Sequence, residues 1–237
     1  MYNLNYLQKC IFFDIETTSR YNTFDEFKSN EYELSKIWIE KCLENEKYKD
    51  KPEQSYEDSA CFYPEYGKVI CIAYGYFCDT DKKWKVESID DSNSSEGDLL
   101  KEFSKIINTK FTHSILAGFN IKKFDVPYLY RRMLAHKILP PIQFDNWDKK
   151  PWEITSLDLL RVWSELNTIN GMCTFDTVCY LMGVDSPKNG EVKGSNVKES
   201  YFKGNIKEVV KYCRRDVQAS IRLAMAFAHE KLTEFVD

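Results

Sequence analysis

Two acidic residues stand two positions apart at the end of an apolar run, in the segment CIFFDIETT that begins at Cys10. Residues two apart in a β-strand point to the same side, so Asp14 and Glu16 are expected to stand together at the end of a hydrophobic strand. Two such charges about 4 Å apart repel by roughly 4 kcal/mol at an effective dielectric near 20. A divalent cation removes this conflict, because Mg²⁺ and Mn²⁺ prefer oxygen ligands. The alternative is a solvated strand end that holds no metal.

A third acid, Asp125, lies in the segment GFNIKKFDVP over residues 118–127. It falls where a helix is expected to begin, directly after a short apolar strand, and the positive end of a helix dipole favours an acid. A simple helix cap with Pro127 in the first turn explains Asp125 and Pro127. It does not explain Asn120 or Phe124.

The fourth acid, Asp216, follows Tyr212 by four residues on the last predicted helix, so the two share one face. That face lies about 100° from the buried stripe that contains Cys213 and Val217. Side chains at the edge of a buried stripe can line a cleft. The alternative is a half-buried tyrosine beside a surface aspartate.

Together, four carboxylates can hold two divalent ions about 3.5–4 Å apart. One ion would activate a water, and the other would stabilise the leaving oxygen of an in-line phosphoryl displacement. Tyr212 would position that water through a hydrogen bond. It need not act as a strong base, because a phenol with a pKa of about 10 is mostly protonated at neutral pH.

Three segments, FDIETT, GFNIKKFD and YCRRD, resemble the three motifs of the DEDD 3′–5′ exonucleases in their tyrosine-bearing branch. The pattern GFN-x3-FD-x-P-Y-L is similar to the proofreading exonuclease domains of family-B DNA polymerases and to their stand-alone relatives. The resemblance implies a ribonuclease H-like fold and two Mg²⁺ or Mn²⁺ ions. By position, it implies the metal ligands Asp14, Glu16, Asp125 and Asp216, which form the catalytic set with Tyr212 as the residue that orients the water.

The same resemblance implies that Thr17 and Asn120 approach the terminal nucleotide and that Phe124 supports it or stacks near it. It implies a metal-dependent 3′–5′ exonuclease that releases nucleoside 5′-monophosphates from single-stranded DNA ends. An exoribonuclease of the same fold, a structure-specific endonuclease and a catalytically silent nucleic-acid-binding module remain alternatives. No polymerase region follows in this sequence, so we expect any polymerase or replication protein to act in trans.

The strands and helices expected to position these residues indicate a single α/β domain over residues 1–237, with a mixed sheet flanked by helices. Strands are predicted at 10–15, 68–77, 84–89, 114–118 and about 154–160. Helices are predicted from a cap at Ser94 or Ser95 to about 107, and at 126–136, 174–182 and 206–234. Asp158 and Asp176 are assigned turn or cap roles rather than metal binding.

Residues 20–60 read as a charged helical insertion after the first strand, with Leu34, Ile37, Trp38 and Cys42 at helical spacing and a cap at Ser29 or Asn30. A structural spacer is favoured over a lid that covers the substrate. The stretch 187–204 reads as a basic loop that could follow backbone phosphates. Candidates for base stacking are Phe119, Phe124, Tyr128 and Trp147.

Composition limits the class of protein. The 237 residues carry 33 Lys and Arg against 37 Asp and Glu, a formal net charge of −4, so binding to nucleic acid needs local positive patches or bound metal. No apolar run reaches the roughly 18 residues of a membrane helix, and the N-terminus lacks the features of a secretory signal. The eight cysteines form no CxxC pair and indicate a reduced, intracellular, cytoplasmic protein without a zinc site.

Overall fold

The computed structural model describes residues 3–150, 153–164, 173–186 and 191–235. Its five strands are β1 (Cys10–Ser19), β2 (Gly67–Cys78), β3 (Lys83–Asp90), β4 (Ile115–Gly118) and β5 (Leu157–Asp158). They form one sheet in the order β3-β2-β1-β4-β5. Strand β1 is central, antiparallel to β2 and parallel to β4. The predicted mixed α/β sheet flanked by helices is confirmed.

The helices before β4 are α1 (Leu4–Leu7), α2 (Phe24–Asn30), α3 (Tyr32–Leu43), α4 (Pro52–Ser59) and α5 (Glu96–Lys110). Those after β4 are α6 (Asp125–Ala135), α7 (Leu159–Ser164), α8 (Phe175–Leu181), α9 (Val197–Phe202) and α10 (Ile206–Phe227). Short 3₁₀ turns span Ala60–Phe62, Ile142–Phe144 and Gly194–Asn196. Within the described ranges, no helix is long and apolar enough to cross a membrane.

The two faces of β1 pack against different helices. Phe12 belongs to the core that includes Cys213 and Val217 of α10. Ile11 and Phe13 belong to the opposite core, which includes residues of α5 and α6. Because side chains alternate along a strand, Asp14 and Glu16 share the face of Phe12 and point towards α10. The alternation of side chains along β1 therefore determines that its two acids face α10.

Local sequence explains several helix starts. The Ser95 hydroxyl accepts the backbone N–H of Asp98, whose carboxylate accepts the N–H of Ser95 in return, so the predicted cap of α5 is present as a capping box. Thr174 caps α8, and Gly183 follows that helix with φ of 67°. Both predicted helices are confirmed.

The structure corrects two strand boundaries. Strand β1 does not end at the acids but continues to Ser19, because Thr17 and Thr18 still pair with β2 after a register shift between Glu16 and Thr17. The strand predicted near 154–160 forms only over Leu157–Asp158. The Asp158 carboxylate accepts the N–H of Leu160, which starts α7 instead.

Two other predictions also change. The last helix ends at Phe227 rather than near residue 234, because His229 adopts a positive φ of 57° and the chain turns back so that Arg222 reaches the carbonyl of Thr233. In the loop predicted at 187–204, residues 187–190 lie outside the described ones. Residues Val197–Phe202 form helix α9, because Val197 packs into an apolar cluster with Val209.

The insertion after β1 is helical and charged, as predicted, but it forms three helices rather than one. Ser29 and Asn30 do not cap α3, because they belong to the end of α2, which begins at a Thr23 cap. Ile37 is exposed, whereas Trp38 lies in an aromatic cluster of the insertion, with Phe24, Phe27, Cys42, Tyr56, Ala60 and Tyr66. All eight cysteines of the chain are free, and five of them are buried.

Candidate active site

Strand β1 presents the first two acids from the centre of the sheet. Asp14 lies opposite Ala73 and Glu16 lies opposite Cys71 on β2. Ligand atoms of Asp14, Glu16 and Cys213 all lie within 4.8 Å of one another. Two carboxylates and a thiol thus share a small volume between the sheet and α10.

Asp125 joins this group from the other face of the sheet. It is the first residue of α6 and is only 3% exposed. Its Oδ1 accepts the backbone N–H of Ile15 at 3.1 Å, between the two acids of β1. The N-cap position belongs to Phe124, so the carboxylate of Asp125 is directed to β1 instead of capping its own helix.

Helix α10 supplies Tyr212 and Asp216, each only 7% exposed. Tyr212 packs among Ile70, Val192, Val197 and Val209, which form an apolar cluster behind it. A Cβ added to Gly194 would lie 3.6 Å from the tyrosine hydroxyl, so the chain before α9 passes close to this group. The ring of Tyr212 therefore packs against the apolar cluster on one side, and the same side chain faces the carboxylates of the site on the other.

One open cavity of about 300 Å³ collects these side chains. The predicted site residues that line it are Asp14, Glu16, Asn120, Phe124, Asp125, Tyr212 and Asp216. Thr17 is not among the lining residues, because its hydroxyl donates to the carbonyl of Cys61 at 2.9 Å. Its predicted role at the terminal nucleotide stays a prediction.

The residues 120–124 are held by an acid that is not part of the cavity lining. The Asp158 carboxylate accepts the backbone N–H groups of Asn120 at 2.9 Å and Lys122 at 3.0 Å. Asn120 adopts a positive φ of 63°, which asparagine tolerates better than most residues. Asp158 therefore acts as a turn-forming acid, as predicted. For Asp176, the structure shows a hydrogen bond from Ser186 at 2.8 Å.

Burial and mutual repulsion dominate the electrostatics of the cavity. Burial raises the pKa of Asp14 well above its usual value, and the charges of Asp216, Asp125 and Glu16 raise it further. Burial likewise raises the pKa of Glu16, with Asp216 as the next cause. Burial raises the pKa of Asp125 to about 7, although the N–H groups of Asp125 and Ile15 oppose the rise. Burial and then the charge of Asp216 raise the pKa of Tyr212, which stays protonated at neutral pH.

Among the described residues, Asp14 and Glu16 have no basic partner of the kind that usually balances buried acids. No lysine or arginine of the described residues forms an ion pair with Asp14 or Glu16, and the one group that lowers the pKa of Asp14 is the Cys213 thiol. Oxygen-rich, closely spaced carboxylates are the donor set that Mg²⁺ and Mn²⁺ prefer. The donor chemistry fits divalent cations, which would replace the missing positive charge.

Sequence reasoning missed the part that Cys213 plays in this site. The sequence places Cys213 in the buried stripe of α10, and its thiol lies 3.4 Å from the Asp14 carbonyl oxygen and 3.7 Å from Asp14 Oδ2. Its position between Tyr212 and Asp216 was the available signal. The cavity lining also contains residues that the sequence does not predict for the site, namely Ile15, Leu160 and Cys173, together with Phe119, a candidate for stacking alone.

A buried ion pair fixes the helix that carries Asp125. Arg132 on α6 and Glu96 at the start of α5 pair through Arg132 Nε and Glu96 Oε1 at 2.8 Å, and a second contact joins Nη2 and Oε2. Glu96 also accepts the backbone N–H of Val69, and Arg132 donates to the carbonyl of Pro64. Burial raises the pKa of Glu96, but the hydrogen bonds and charge of Arg132 outweigh this and hold it below its usual value. The pair links α6 to β2 and the end of the insertion.

Comparisons with known proteins found one matching family and a similar solved structure. The profile of a family described as "Predicted 3′-5′ exonuclease related to the exonuclease domain of PolB" matches residues 62–231. The family B DNA polymerase from the hyperthermophilic archaeon Pyrobaculum calidifontis has a similar structure, with a TM-score of 0.55 and 16% sequence identity. The similarity covers 93% of this chain and 24% of that polymerase, and at this identity it shows the fold alone. No curated protein matches the chain.

Proposed function

Because the chain belongs to the family of predicted 3′–5′ exonucleases related to the exonuclease domain of PolB, we propose that it hydrolyses phosphodiester bonds at the 3′ end of single-stranded DNA. The products would be nucleoside 5′-monophosphates. One observation carries the proposal: four carboxylates and a tyrosine from three distant parts of the chain line one open cavity. Structural needs do not explain this convergence, because like charges in a buried site destabilise the fold.

Asp14, Glu16, Asp125 and Asp216 would hold two divalent cations, Mg²⁺ or Mn²⁺. When bound, such ions activate a water and stabilise the leaving oxygen of a phosphoryl displacement. Asp14 would be the most central ligand, because the charges of all three other acids, in addition to burial, raise its pKa. Asp125 would bind in a fixed orientation, since its second oxygen stays on the N–H of Ile15.

Tyr212 would orient the attacking water. Its hydroxyl keeps its proton, because burial and the neighbouring carboxylates raise its pKa. A protonated phenol can hold a water in line for attack, but it cannot remove a proton from it. Phe124 and Asn120 line the same cavity and would contact the terminal nucleotide. We expect the substrate to be DNA from the family resemblance, and a polymerase or replication protein would cooperate in trans.

The test uses one single strand labelled either at its 3′ or at its 5′ end, incubated with Mn²⁺ or with EDTA. We expect immediate release of a labelled mononucleotide from the 3′-labelled strand and a descending ladder from the 5′-labelled strand, both only with Mn²⁺. An RNA strand of the same sequence measures the preference for DNA. The Asp14→Asn variant is the control for a contaminating nuclease.

Internal cuts, or binding without turnover, would contradict the proposal. Internal cuts would indicate a structure-specific endonuclease. Binding without turnover would indicate a nucleic-acid-binding module. Faster hydrolysis of RNA would keep the 3′–5′ mechanism and change the substrate to RNA.

A further inference from the structure

A second cavity, of about 280 Å³, opens on the outer side of α6. Aromatic and apolar side chains line it, among them Tyr130, Phe144 and Trp147. Two cationic residues, Lys122 and Arg131, and the polar residue Asn146 also line it. Aromatic rings beside positive charges suit a nucleobase with its attached phosphate.

This second cavity is a direct neighbour of the catalytic one. Asn120, Phe124 and Asp125 line the catalytic cavity, whereas Lys122 and Val126 line the second. Residues of one short segment therefore line both cavities, and the neighbours Asp125 and Val126 belong to different ones. Consecutive Cα atoms are about 3.8 Å apart, so these two lining positions are close together. A nucleic-acid strand that ends in the first can reach the second within a few nucleotides.

Trp147 is the most informative residue of the second cavity. It is 79% exposed, although tryptophan is usually highly buried. The Asp145 carboxylate accepts its backbone N–H at 3.1 Å, which holds the turn that presents the ring. The other stacking candidates have partners in the fold: Tyr128 is fully buried, and Phe119 lies 4.7 Å from Phe175. Among these candidates for base stacking, Trp147 is the one with a largely solvent-exposed ring.

The positive charges are placed for contacts with phosphates. Lys122 is half-buried, and its Nζ donates to the carbonyl of Ile154 at 3.2 Å, so the ammonium group is held in place at the cavity wall. Arg131 is exposed and lies 3.7 Å from Glu65 in a solvent-facing pair, which is weak. In a chain with a net charge of −4, such a local patch is what an anionic strand requires.

We propose that this cavity is a second nucleotide subsite, which binds a base of the single-stranded substrate a few nucleotides upstream of the 3′ end. This inference rests on the proposed function and adds the path of the strand away from the catalytic cavity. The base stacks on Trp147, and the flanking phosphates lie near Arg131 and Lys122. Short oligonucleotides that end before the subsite do not use it, so affinity rises with strand length.

The experiment measures binding separately from turnover. The Asp14→Asn protein is titrated with fluorescein-labelled oligodeoxynucleotides of two and of eight nucleotides, with and without Trp147→Ala. We expect Trp147→Ala to weaken the affinity for the longer strand at least about fivefold, because the variant removes one aromatic side chain on which a base stacks. Affinity for the dinucleotide stays the same. Trp147→Phe, which keeps a ring, restores most of the affinity.

The matched control is Tyr180→Ala on α8, which removes a ring that is 83% exposed and lies outside the second cavity. It leaves both affinities unchanged. Arg131→Gln weakens binding of the longer strand and lowers the slope of log affinity against log salt by about 0.7, the value for one lost phosphate contact on a single strand. In the otherwise wild-type enzyme, Trp147→Ala raises KM on long strands and leaves kcat unchanged.

An unchanged affinity of Trp147→Ala for the longer strand overturns the inference, and so does an equal loss for both lengths or for Tyr180→Ala. If the wild-type enzyme degrades strands but Trp147→Ala has no effect, the subsite is wrong and the exonuclease function stands. If the chain binds strands through Trp147 but never cleaves them, the subsite stands and the exonuclease function is wrong.

Discussion

The Asp14→Asn substitution should abolish turnover and, without metal, make the protein more stable. Asparagine has the shape of aspartate and keeps an oxygen that can accept from the Cys213 thiol, but it carries no charge. Most substitutions of a half-buried residue destabilise a fold. We expect Asp14→Asn to stabilise the fold instead, because the neighbouring carboxylates repel the charge of Asp14.

The size of the effect follows from the geometry. Ligand oxygens of Asp14 and Glu16 lie within 4.8 Å. Two unit charges at that distance repel by about 3.5 kcal/mol at an effective dielectric of about 20. Proton uptake relieves part of this repulsion, so we expect a gain of about 1–3 kcal/mol in the free energy of unfolding. For a chain of this length, the melting temperature should rise by about 2–10 °C.

The gain in stability from Asp14→Asn should also increase with pH. A carboxyl whose pKa is raised in the folded state holds its proton at pH values where the unfolded chain has lost it. Stability of the wild type therefore falls as pH rises from about 4 through the raised pKa, which for Asp125 is about 7. Removal of the Asp14 charge should flatten this decline, so the advantage of Asp14→Asn is larger at pH 8 than at pH 5.

Thermal unfolding in EDTA at pH 5 and pH 8 measures this prediction, and the scans are repeated with Mn²⁺. Added Mn²⁺ should stabilise the wild type more than Asp14→Asn. The matched control is Asp79→Asn at an exposed turn, whose side chain is 90% exposed and which should change stability by less than about 0.5 kcal/mol. A destabilised Asp14→Asn protein in EDTA at pH 8 would refute the reasoning, because the charge would then be stabilised by a partner of the protein itself.

Three further outcomes are expected. Tyr212→Phe should slow turnover by about 100-fold, because the attacking water loses its orientation, while calorimetric Mn²⁺ affinity and the melting temperature stay close to wild type; a failure to fold would indicate a packing role instead. Arg132→Met removes the guanidinium partner of the buried Glu96 carboxylate, which then keeps only the Val69 N–H and His136, and should lower the free energy of unfolding by about 3–5 kcal/mol in urea, whereas Lys203→Gln, in an exposed pair, should change it by less than about 1 kcal/mol. Mn²⁺ affinity should weaken as pH falls below about 7, since Asp125 must lose its proton to bind; equal affinities at pH 5.5 and pH 8 would contradict this.

The sequence predicted most of the sheet, because apolar and alternating runs set the strand positions. It placed the end of β1 too early, since two acids normally terminate a buried strand. The strand continues to Ser19 through its pairing with β2, and this pairing cannot be read from β1 alone. The acids are tolerated inside the strand because they face a cavity rather than the packed core.

The insertion shows a second limit of sequence reasoning. Helical spacing predicted one helix, but three helices fold around an aromatic cluster of their own. The last turn of the insertion then returns to the catalytic cavity, where the ring of Phe62 lies 6.4 Å from that of Phe124. No local pattern indicates this return, since it depends on the hydrogen bond from Thr17 on β1 to the Cys61 carbonyl.

The complete acid set is apparent only when the structure is considered together with the family. The family match begins at residue 62, so Asp14 and Glu16 lie outside it. They nevertheless belong to the same site, because β1 is held between β2 and β4, both of which lie within the matched range. Ile15 of that strand also donates to Asp125, which is 110 residues later in the chain. Sheet pairing and this hydrogen bond therefore hold Asp14 and Glu16, which the family match does not include, next to Asp125 and Asp216, which it does include.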